Sequence, residues 1–437
     1  MIKRLPKDKT KNSSEAKTSP DNTPKLRFPS FSDEWKEKTL GSMLSMVIDN
    51  RGKTPPIEKK GIPLIETNSL GGRKIDYTKI SKFVSKEIYD SWFRKYLNPN
   101  DVLFSTVGVT AVTSIYKAEP VAAVAQNIVG LRFTNDEPAF CFYLIAKKKN
   151  NHKFKRIEMG AVQPSVKVSQ MVNIKFELPK FPEQQKIALF LTSVDEWIEN
   201  QKKQKENLEL YKKGMMQKIF PVKGQTNPQV RFKDKNGKNF PDWEDRSLSN
   251  LYSFLKTNLF SRAMLSDAGS IVNIHYGDIH KSHKTHFNLD EKKLSFLKIN
   301  NVTTDFLQNG DVVVADASED RFDVGKAIEI SNVRSKKVVS GLHTFLMRPM
   351  HSLDGFSGFI LNYQDFKRSL WRIATGASVL GVSKKEISKI KIKIPAVEEQ
   401  QKITHFLTSL DRGIESKEQQ VVLAEKWKKG LMQDLFI

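Results

Sequence analysis

The sequence predicts an α+β fold in which two mixed α/β domains are joined by two long antiparallel helices, with an internal pseudo-twofold duplication. Three observations support this fold class. A long segment is repeated in the second half of the chain, apolar residues in both copies follow a heptad pattern, and the blocks before them carry strand-like runs. At 437 residues, the chain has material for about two to four domains.

The duplication is the strongest feature of the sequence. Residues 183–220 return as residues 399–436 at a constant offset of 216, without a gap. More than half of the positions are identical in the two copies. A repeat of this length predicts that one structural unit occurs twice in the chain.

Each half also begins with a similar short opener. Residues 24–28 and 228–232 share Pro, Arg and Phe, and Trp35 and Trp243 follow them. Between opener and repeat the halves share little, which predicts one scaffold that presents two different recognition surfaces. We expect both tryptophans to anchor domain cores. The predicted divisions are a disordered basic tail at 1–23, domains at 24–180 and 222–395, and helices at 181–221 and 396–437.

The repeated segments predict helices, because their apolar residues recur at the 4,3 spacing of a heptad seam. About 38 residues at 1.5 Å each make a helix of roughly 55 Å, which is long for one side of a compact domain. We therefore expect the two copies to pair in antiparallel fashion; the alternative is an amphipathic helix lying on the core of its own domain. The predicted pairing residues are Ile187, Leu191, Val194, Ile198, Leu208, Met215, Ile403, Leu407, Leu410, Ile414, Val421 and Leu431.

The charge balance indicates the class of partner. Seventy-two Lys and Arg against 49 Asp and Glu give a net charge of +23 and a pI near 9.7. Nucleic acid is the expected partner, because each phosphate that a basic group neutralises releases a counterion; a basic protein without a polyanion partner is the alternative. A single cysteine, no signal-peptide pattern and no long apolar stretch predict a cytoplasmic protein outside the membrane.

The sequence carries no recognised catalytic motif. Gly-x-Gly-x-x-Gly after a strand, Walker A and His-Glu-x-x-His are all missing from it. The chain is therefore predicted to be non-catalytic and to hold no cofactor or metal of its own. The alternatives are a self-contained DNA modification enzyme with an unfamiliar site and an interaction scaffold that binds no DNA.

One histidine-rich stretch has residues suited to a metal site. It contains His275, His280, His283 and His286. Histidines at such spacing could meet a transition metal, but Lys281 and Lys284 would repel a dication. A polar loop that faces nucleic acid is the favoured prediction, with plain surface as the alternative. The acidic run at 316–320 is predicted to be structural or to accept hydrogen bonds from cytosine.

Taken together, these segments closely resemble the specificity subunit of type I restriction–modification enzymes. The resemblance rests on the duplicated Glu-Gln-Gln-Lys-Ile helices, the openers and the divergent blocks. Residues 275–279, 315–320 and 341–344 are similar to pieces of one subtype of its target-recognition domains. Asn68 and residues 126–128 are similar to pieces of another.

The resemblance implies a function and a set of partners. In that family each variable block is a target-recognition domain that reads one half of a split, asymmetric DNA sequence, and the paired helices separate the halves. Double-stranded DNA, two methyltransferase subunits and motor–nuclease subunits are the implied partners. S-adenosylmethionine, ATP and Mg are expected on those partner subunits and not on this chain.

Candidate DNA-contacting residues follow from the chemistry of readout. Base contacts favour Arg, Lys, Asn, Gln, Ser, Thr and His on loops, and phosphate contacts use Lys and Arg. Each candidate could instead be a solvated loop residue. The candidates in the first block are Arg51, Lys53, Thr54, Asn68, Arg73, Gln126 and Gln163. Those in the second block are His275, Tyr276, His280, Lys281, Arg321, His343 and Ser378.

Overall fold

The chain forms two compact units in a computed structural model. The structure describes residues 3–4, 23–50, 52, 54–282, 285–291, 294–320, 322–351 and 353–437. Nearly all of the predicted tail, the candidates Arg51, Lys53 and Arg321, and also His283 and Lys284 lie outside the described residues. Unit 1 is Met1–Lys203 with Lys417–Ile437, and unit 2 is Gln204–Ser416. Each unit therefore contains one variable block and a part of both long helices.

Unit 1 is built on a four-stranded antiparallel sheet. In spatial order its strands are Leu44–Ile48, Ile128–Phe133, Val102–Ser105 and Thr113–Ile115. A three-stranded sheet contains Phe83–Val84, Ile62–Ile65 and Ala123–Val124, and two-stranded pairs join Lys36–Thr39 to Lys175–Leu178 and Lys3–Arg4 to Leu26–Arg27. The short helices are Leu40–Met43, Lys86–Trp92, Pro138–Ala146, Lys148–Lys155 and Val168–Met171, with 3₁₀ turns at Thr67–Ser69 and Tyr77–Lys79.

Unit 2 is built on a five-stranded sheet. In spatial order its strands are Tyr252–Leu255, Thr344–Pro349, Val312–Ala315, Ala327–Ser331 and His286–Asn288. A four-stranded sheet contains Leu265–Ser266, Ser295–Leu297, Ile271–Ile274 and Lys337–Ser340, and pairs join Glu244–Ser247 to Lys391–Ile394 and Ala317–Ser318 to Leu380–Gly381. The short helices are Leu248–Leu251, Tyr276–Lys281, Ser357–Ile360, Gln364–Ile373 and Lys384–Ser388, with a 3₁₀ turn at Arg262–Met264.

The variable blocks share a strand pairing that their sequences do not reveal. In unit 1, strand Ile62–Ile65 runs parallel to Ala123–Val124. In unit 2, strand Ile271–Ile274 runs parallel to Lys337–Ser340. In both cases the first strand of the pair leads into a short helical segment. The duplication therefore extends through the blocks at the level of the backbone.

The repeated segments form the two long helices. These helices are Phe181–Ile219 and Val397–Asp434. Within unit 1, the Asp195 carboxylate meets the Lys428 ammonium at 2.5 Å, and the Gln201 side-chain oxygen accepts from Lys417 Nζ at 2.8 Å. Residue numbers rise along one helix as they fall along the other, so the two run antiparallel.

Unit 2 repeats the ion pair at matched positions. The Asp411 carboxylate meets Lys212 Nζ at 2.5 Å, and both residues lie 216 positions from the pair Asp195 and Lys428. The predicted antiparallel pairing of the two copies is confirmed. No helix in the described part of the chain is both long enough and apolar enough to cross a membrane.

Burial along the helix pair is uneven. The buried members of the predicted pairing set are Ile187, Leu191, Val194, Ile198, Ile403, Leu407 and Leu431. The partly buried members are Leu208, Met215, Leu410, Ile414 and Val421. The most deeply buried positions belong to the cores of the two units. The domain cores thus contribute more to holding the helices than a continuous apolar seam does.

A buried ion pair fastens each opener to the start of a long helix. In unit 2, Arg231 donates two hydrogen bonds to the Glu399 carboxylate, at 3.0 and 2.6 Å, and Trp243 Nε1 donates a third at 3.2 Å. In unit 1, Arg27 forms the same bidentate contact with Glu183. Both glutamates and both predicted tryptophan anchors, Trp35 and Trp243, are buried.

We expect Arg231→Met to lower the free energy of unfolding of unit 2 by about 3–5 kcal/mol, because it leaves the Glu399 carboxylate buried without its charge partner. Arg246→Met removes an exposed guanidinium paired with Glu244 and should cost less than about 1 kcal/mol. Denaturant titration of both variants measures the difference. Equal, small losses in the two variants would contradict the role of the buried pair.

Candidate nucleic-acid interface

In unit 1, three loop segments meet where a central strand of the sheet ends. Thr106 directly follows strand Val102–Ser105. Its N–H donates to the Asn127 carbonyl at 2.8 Å, and its own carbonyl accepts from the Val166 N–H at 2.8 Å. The strand exit, the segment around residue 127 and the hairpin before residue 166 are therefore held together by main-chain hydrogen bonds.

Unit 2 has the same framework with different residues. Asp316 follows strand Val312–Ala315, its N–H donates to the His343 carbonyl at 3.1 Å, and its carbonyl accepts from the Val382 N–H at 2.9 Å. His343 and Val382 are each 216 positions beyond their counterparts in unit 1. The backbone of this site belongs to the duplication, while its side chains differ.

A hairpin completes the framework in each unit. Met159 and Ser165 bridge one hairpin, and Thr375 and Gly381 bridge the other. Both hairpins turn through a glycine of positive φ, and the candidates Gln163 and Ser378 lie at their exposed tips.

Four candidates of unit 1 lie on these adjoining loops. The Gln126 amide donates to the Thr54 hydroxyl at 2.9 Å, and the Asn127 amide donates to the Thr67 hydroxyl at 2.8 Å. Asn68, which follows Thr67, is exposed. We call the group of Thr54, Asn68, Gln126, Asn127 and Gln163 the strand-end surface of unit 1. It presents amides and hydroxyls that can both donate and accept hydrogen bonds.

Arg73 lies apart from this group. Its guanidinium donates to the Glu196 carboxylate on the first long helix at 2.9 Å, and its side chain is 10% exposed. The structure therefore engages this candidate in an ion pair within unit 1.

In unit 2, aromatic and imidazole rings occupy the equivalent place. The Tyr276 ring lies 5.6 Å from the His343 ring and 5.7 Å from the His280 ring, centre to centre. His343 is exposed, and its Nδ1 is 3.3 Å from the Asp316 carboxylate. We call Tyr276, His280, Asp316, His343 and Ser378 the strand-end surface of unit 2. Lys281, at the end of the short helix that carries His280, is also exposed.

His275 needs a correction. The sequence suggested a base-reading side chain, but the ring is only 5% exposed and serves as the N-cap of helix Tyr276–Lys281. Its Nδ1 accepts from the Gly277 N–H at 3.2 Å, while the Asp278 carboxylate accepts from the His275 N–H. Burial, with Arg262 nearby, lowers the pKa of His275. A neutral ring that caps a helix is a structural element of the site.

The remaining described histidines of the stretch make separate contacts. His280 Nε2 lies 3.1 Å from the Ala317 carbonyl, and His286 Nε2 lies 2.8 Å from the Gly355 carbonyl. Within the described ranges, no group of three or more His, Cys, Asp or Glu side chains is placed to hold a metal ion.

The acidic run is partly structural. Asp320 accepts from the Phe322 N–H at 2.8 Å and so shapes the loop. Asp316 is half-buried, and this burial raises its pKa, while the adjacent His343 acts in the opposite direction. Asp316 thus places an acceptor next to an imidazole on the strand-end surface of unit 2.

Asn127, Thr67 and Asp316 were not among the individual candidates. Asn127 could have been found from the sequence, because it lies 216 positions before the candidate His343. Thr67 could not, because its place depends on the parallel strand pairing that only the structure reveals.

A family match covers the duplicated framework. The family described as the type I restriction modification DNA specificity domain matches residues 32–210 and again residues 241–424. This chain belongs to that family. The resemblance inferred from the repeated helices and openers is confirmed.

Full-length relatives of the specificity-domain family agree with this assignment. Over 428 residues the chain is 26% identical to a provisionally named type I restriction enzyme MjaX specificity subunit of Methanocaldococcus jannaschii, covering 94% of this chain and 95% of that protein. Over 425 residues it is 26% identical to the type I restriction enzyme MjaVIII specificity subunit of the same organism, covering 93% and 92%.

Solved structures share the fold. One is the S subunit of a type I restriction–modification system from M. genitalium, with a TM-score of 0.53 at 14% identity, covering 95% of this chain and 99% of that one. Another, from a study of complex assembly in the type I R-M system, gives a TM-score of 0.54 at 15% identity over 92% and 97%. The predicted fold class is confirmed.

We expect Gly376→Ala to destabilise unit 2 by about 1–3 kcal/mol, because φ is +134° there and an added Cβ would overlap the Val379 carbonyl. Gly214→Ala is the control: this glycine lies inside a long helix with open space around it, so alanine should stabilise by up to about 1 kcal/mol. Thermal unfolding measures both. Stability shifts of the same sign would contradict a hairpin held in a glycine-only conformation.

Proposed function

We propose that this chain is the DNA specificity subunit of a type I restriction–modification complex and that each unit reads one half of a bipartite target. One observation carries the proposal: the same main-chain framework holds Asn127 in unit 1 and His343 in unit 2 at equivalent positions, beside unlike neighbours. A shared framework with different side chains suits two readers of different sequences.

The side chains support different base preferences. The strand-end surface of unit 1 is rich in amides, and an amide can form two hydrogen bonds with adenine in the major groove. The strand-end surface of unit 2 offers imidazoles, a phenol and the Asp316 carboxylate, which can accept from cytosine. The net charge of +23 supports binding to the phosphate backbone at either site.

We place catalysis on partner subunits. Two methyltransferase subunits would bring S-adenosylmethionine, and motor–nuclease subunits would bring ATP and Mg. The relatives are named as specificity subunits, and this chain has no recognised cofactor motif in its sequence. The complex would work in the cytoplasm, where its DNA target is.

An exposed aromatic groove supports the proposal that this chain binds protein partners. In unit 1, Phe190, Trp197, Leu423 and Trp427 line a groove of about 550 Å³ on the helix pair. Trp197 and Trp427 are 45% and 53% exposed, and clustered tryptophans of this kind are typical of protein interfaces. We assign this groove to a methyltransferase subunit, because it lies on the helix pair and exposes two tryptophans.

Replacement of residues 248–382, which include the hairpin with Ser378, by the corresponding block of a relative should change one half of the methylated sequence and leave the other half unchanged. The reason is that each strand-end surface is formed within its own unit. The measurement is genome-wide sequencing of methylated adenines in cells that express the chain with its methyltransferase subunit.

The matched control replaces residues 40–166, which include the hairpin with Gln163, and should change only the opposite half. If either replacement changed both halves together, the two units would not be separate readers. If the unaltered chain directed no methylation with its methyltransferase subunit, the proposed function itself would be wrong.

A further inference from the structure

Unit 1 contains a cleft near its strand-end surface. The cleft has a volume of about 830 Å³. One wall is a face of helix Lys148–Lys155, and the opposite wall is formed by residues 428–433 of the second long helix. Phe142, Ala146 and Met432 supply apolar lining.

The charge of the cleft is strongly positive. Lys148, Lys149 and Lys429 are exposed at its walls, and none of the three forms an ion pair with a described residue. Among the residues that line the cleft, all of which are described, Glu425 is the one acid, and it pairs with Lys202 at 2.6 Å. The cleft therefore carries positive charge that unit 1 does not neutralise.

The buried Lys147 at the edge of the cleft shows the effect of this positive charge on a pKa. Burial, and then the nearby Lys149, lower the pKa of Lys147 to about 8. Its ammonium is held by the main-chain oxygens of Phe436 and Ile437 at 2.7 and 2.9 Å. Positive charges crowd this part of unit 1, so an added anion would relieve their mutual repulsion.

The cleft shares segments of chain with the strand-end surface of unit 1. Gly71 and Gly72 line the cleft and follow Thr67 by only a few residues. Residues 109–113 also line it and follow Thr106, the strand exit that organises the surface. A polyanion lying on the surface would thus meet the cleft along two connected segments of chain.

Unit 2 lacks two of the three unpaired charges of the cleft, whereas Lys429 has Lys213 as its counterpart. At the offset of 216, the run Lys147, Lys148 and Lys149 corresponds to Tyr363, Gln364 and Asp365. Asp365 is paired with Arg368 at 3.3 Å. Unit 1 therefore has cationic side chains, Lys148 and Lys149, that unit 2 lacks at the equivalent positions.

We propose that this cleft binds the sugar–phosphate backbone of DNA flanking the half-site that unit 1 reads. The inference rests on the proposed function and extends it to sequence-independent contacts that unit 2 does not make. The segments of chain that the cleft shares with the strand-end surface favour DNA over an acidic protein segment. From Lys148 to Lys155 the helix advances about 10 Å, a length over which one DNA strand carries about three phosphates.

The test compares two triple variants of the chain in complex with its methyltransferase subunits. K148Q/K149Q/K429Q removes the unpaired charges of the cleft, and K223Q/K235Q/K238Q removes three exposed charges from the opener region of unit 2. Affinity for a DNA duplex that contains the methylated sequence is measured over a range of salt concentrations. Thermal unfolding confirms that both variants are folded.

We expect the cleft variant to lower the slope of log affinity against log salt by about two to three, without changing the methylated sequence. The control should lower the slope by less than one. Hydroxyl-radical footprinting should show protection lost only on the flank next to the half-site of unit 1.

An unchanged slope for the cleft variant, or an equal loss for the control, overturns the inference. Loss of methyltransferase binding with an unchanged DNA slope also overturns it, in favour of a protein-docking cleft. The proposed function would fail separately, through lack of specific DNA binding by the unaltered complex.

Discussion

The buried carboxylates of Glu183 and Glu399 are the constraint on which each half of the molecule depends. A carboxylate at the start of a long helix is favourable for the helix dipole, but its burial requires a bound cation. Arg27 and Arg231 supply that cation from the openers. The opener, the sheet beside it and the long helix are therefore joined at one point in each half. Because the same pair occurs in both halves, the framework is fixed independently of the block that it holds.

This arrangement separates what is constant from what varies. The main-chain hydrogen bonds of Thr106 and Asp316 repeat in the two units, whereas the side chains beside them differ in chemistry and size. The differences between the two units therefore lie in side chains at a strand end whose main-chain hydrogen bonds stay the same. The cationic cleft of unit 1 shows that the variation also reaches beyond the strand-end surface, because Lys148 and Lys149 have Gln364 and Asp365 as counterparts.

Much of the framework could be predicted from the sequence, because repeated residues at a fixed offset and heptad spacing are local signals. The two long helices, their antiparallel pairing and the tryptophan anchors follow from those signals. The strand-end surfaces were harder to predict, since they depend on contacts between distant segments. His275 illustrates the limit: a histidine in a polar stretch is typical of a binding loop, yet helix capping and burial determine its role. Asn127 is the opposite case. Its place in the site could have been inferred from the sequence, but only by aligning it with His343.

The central claim is that two independent readers are carried by equivalent frameworks. The most direct measurement exchanges the two blocks within one chain, so that residues 248–382 replace residues 40–166 and the reverse. Methylated adenines are then sequenced in cells with the methyltransferase subunit. If the frameworks are equivalent, the exchanged chain directs methylation and the same two half-sites are recognised. Loss of methylation by a folded, assembled complex, or the appearance of new half-sites, would contradict the account.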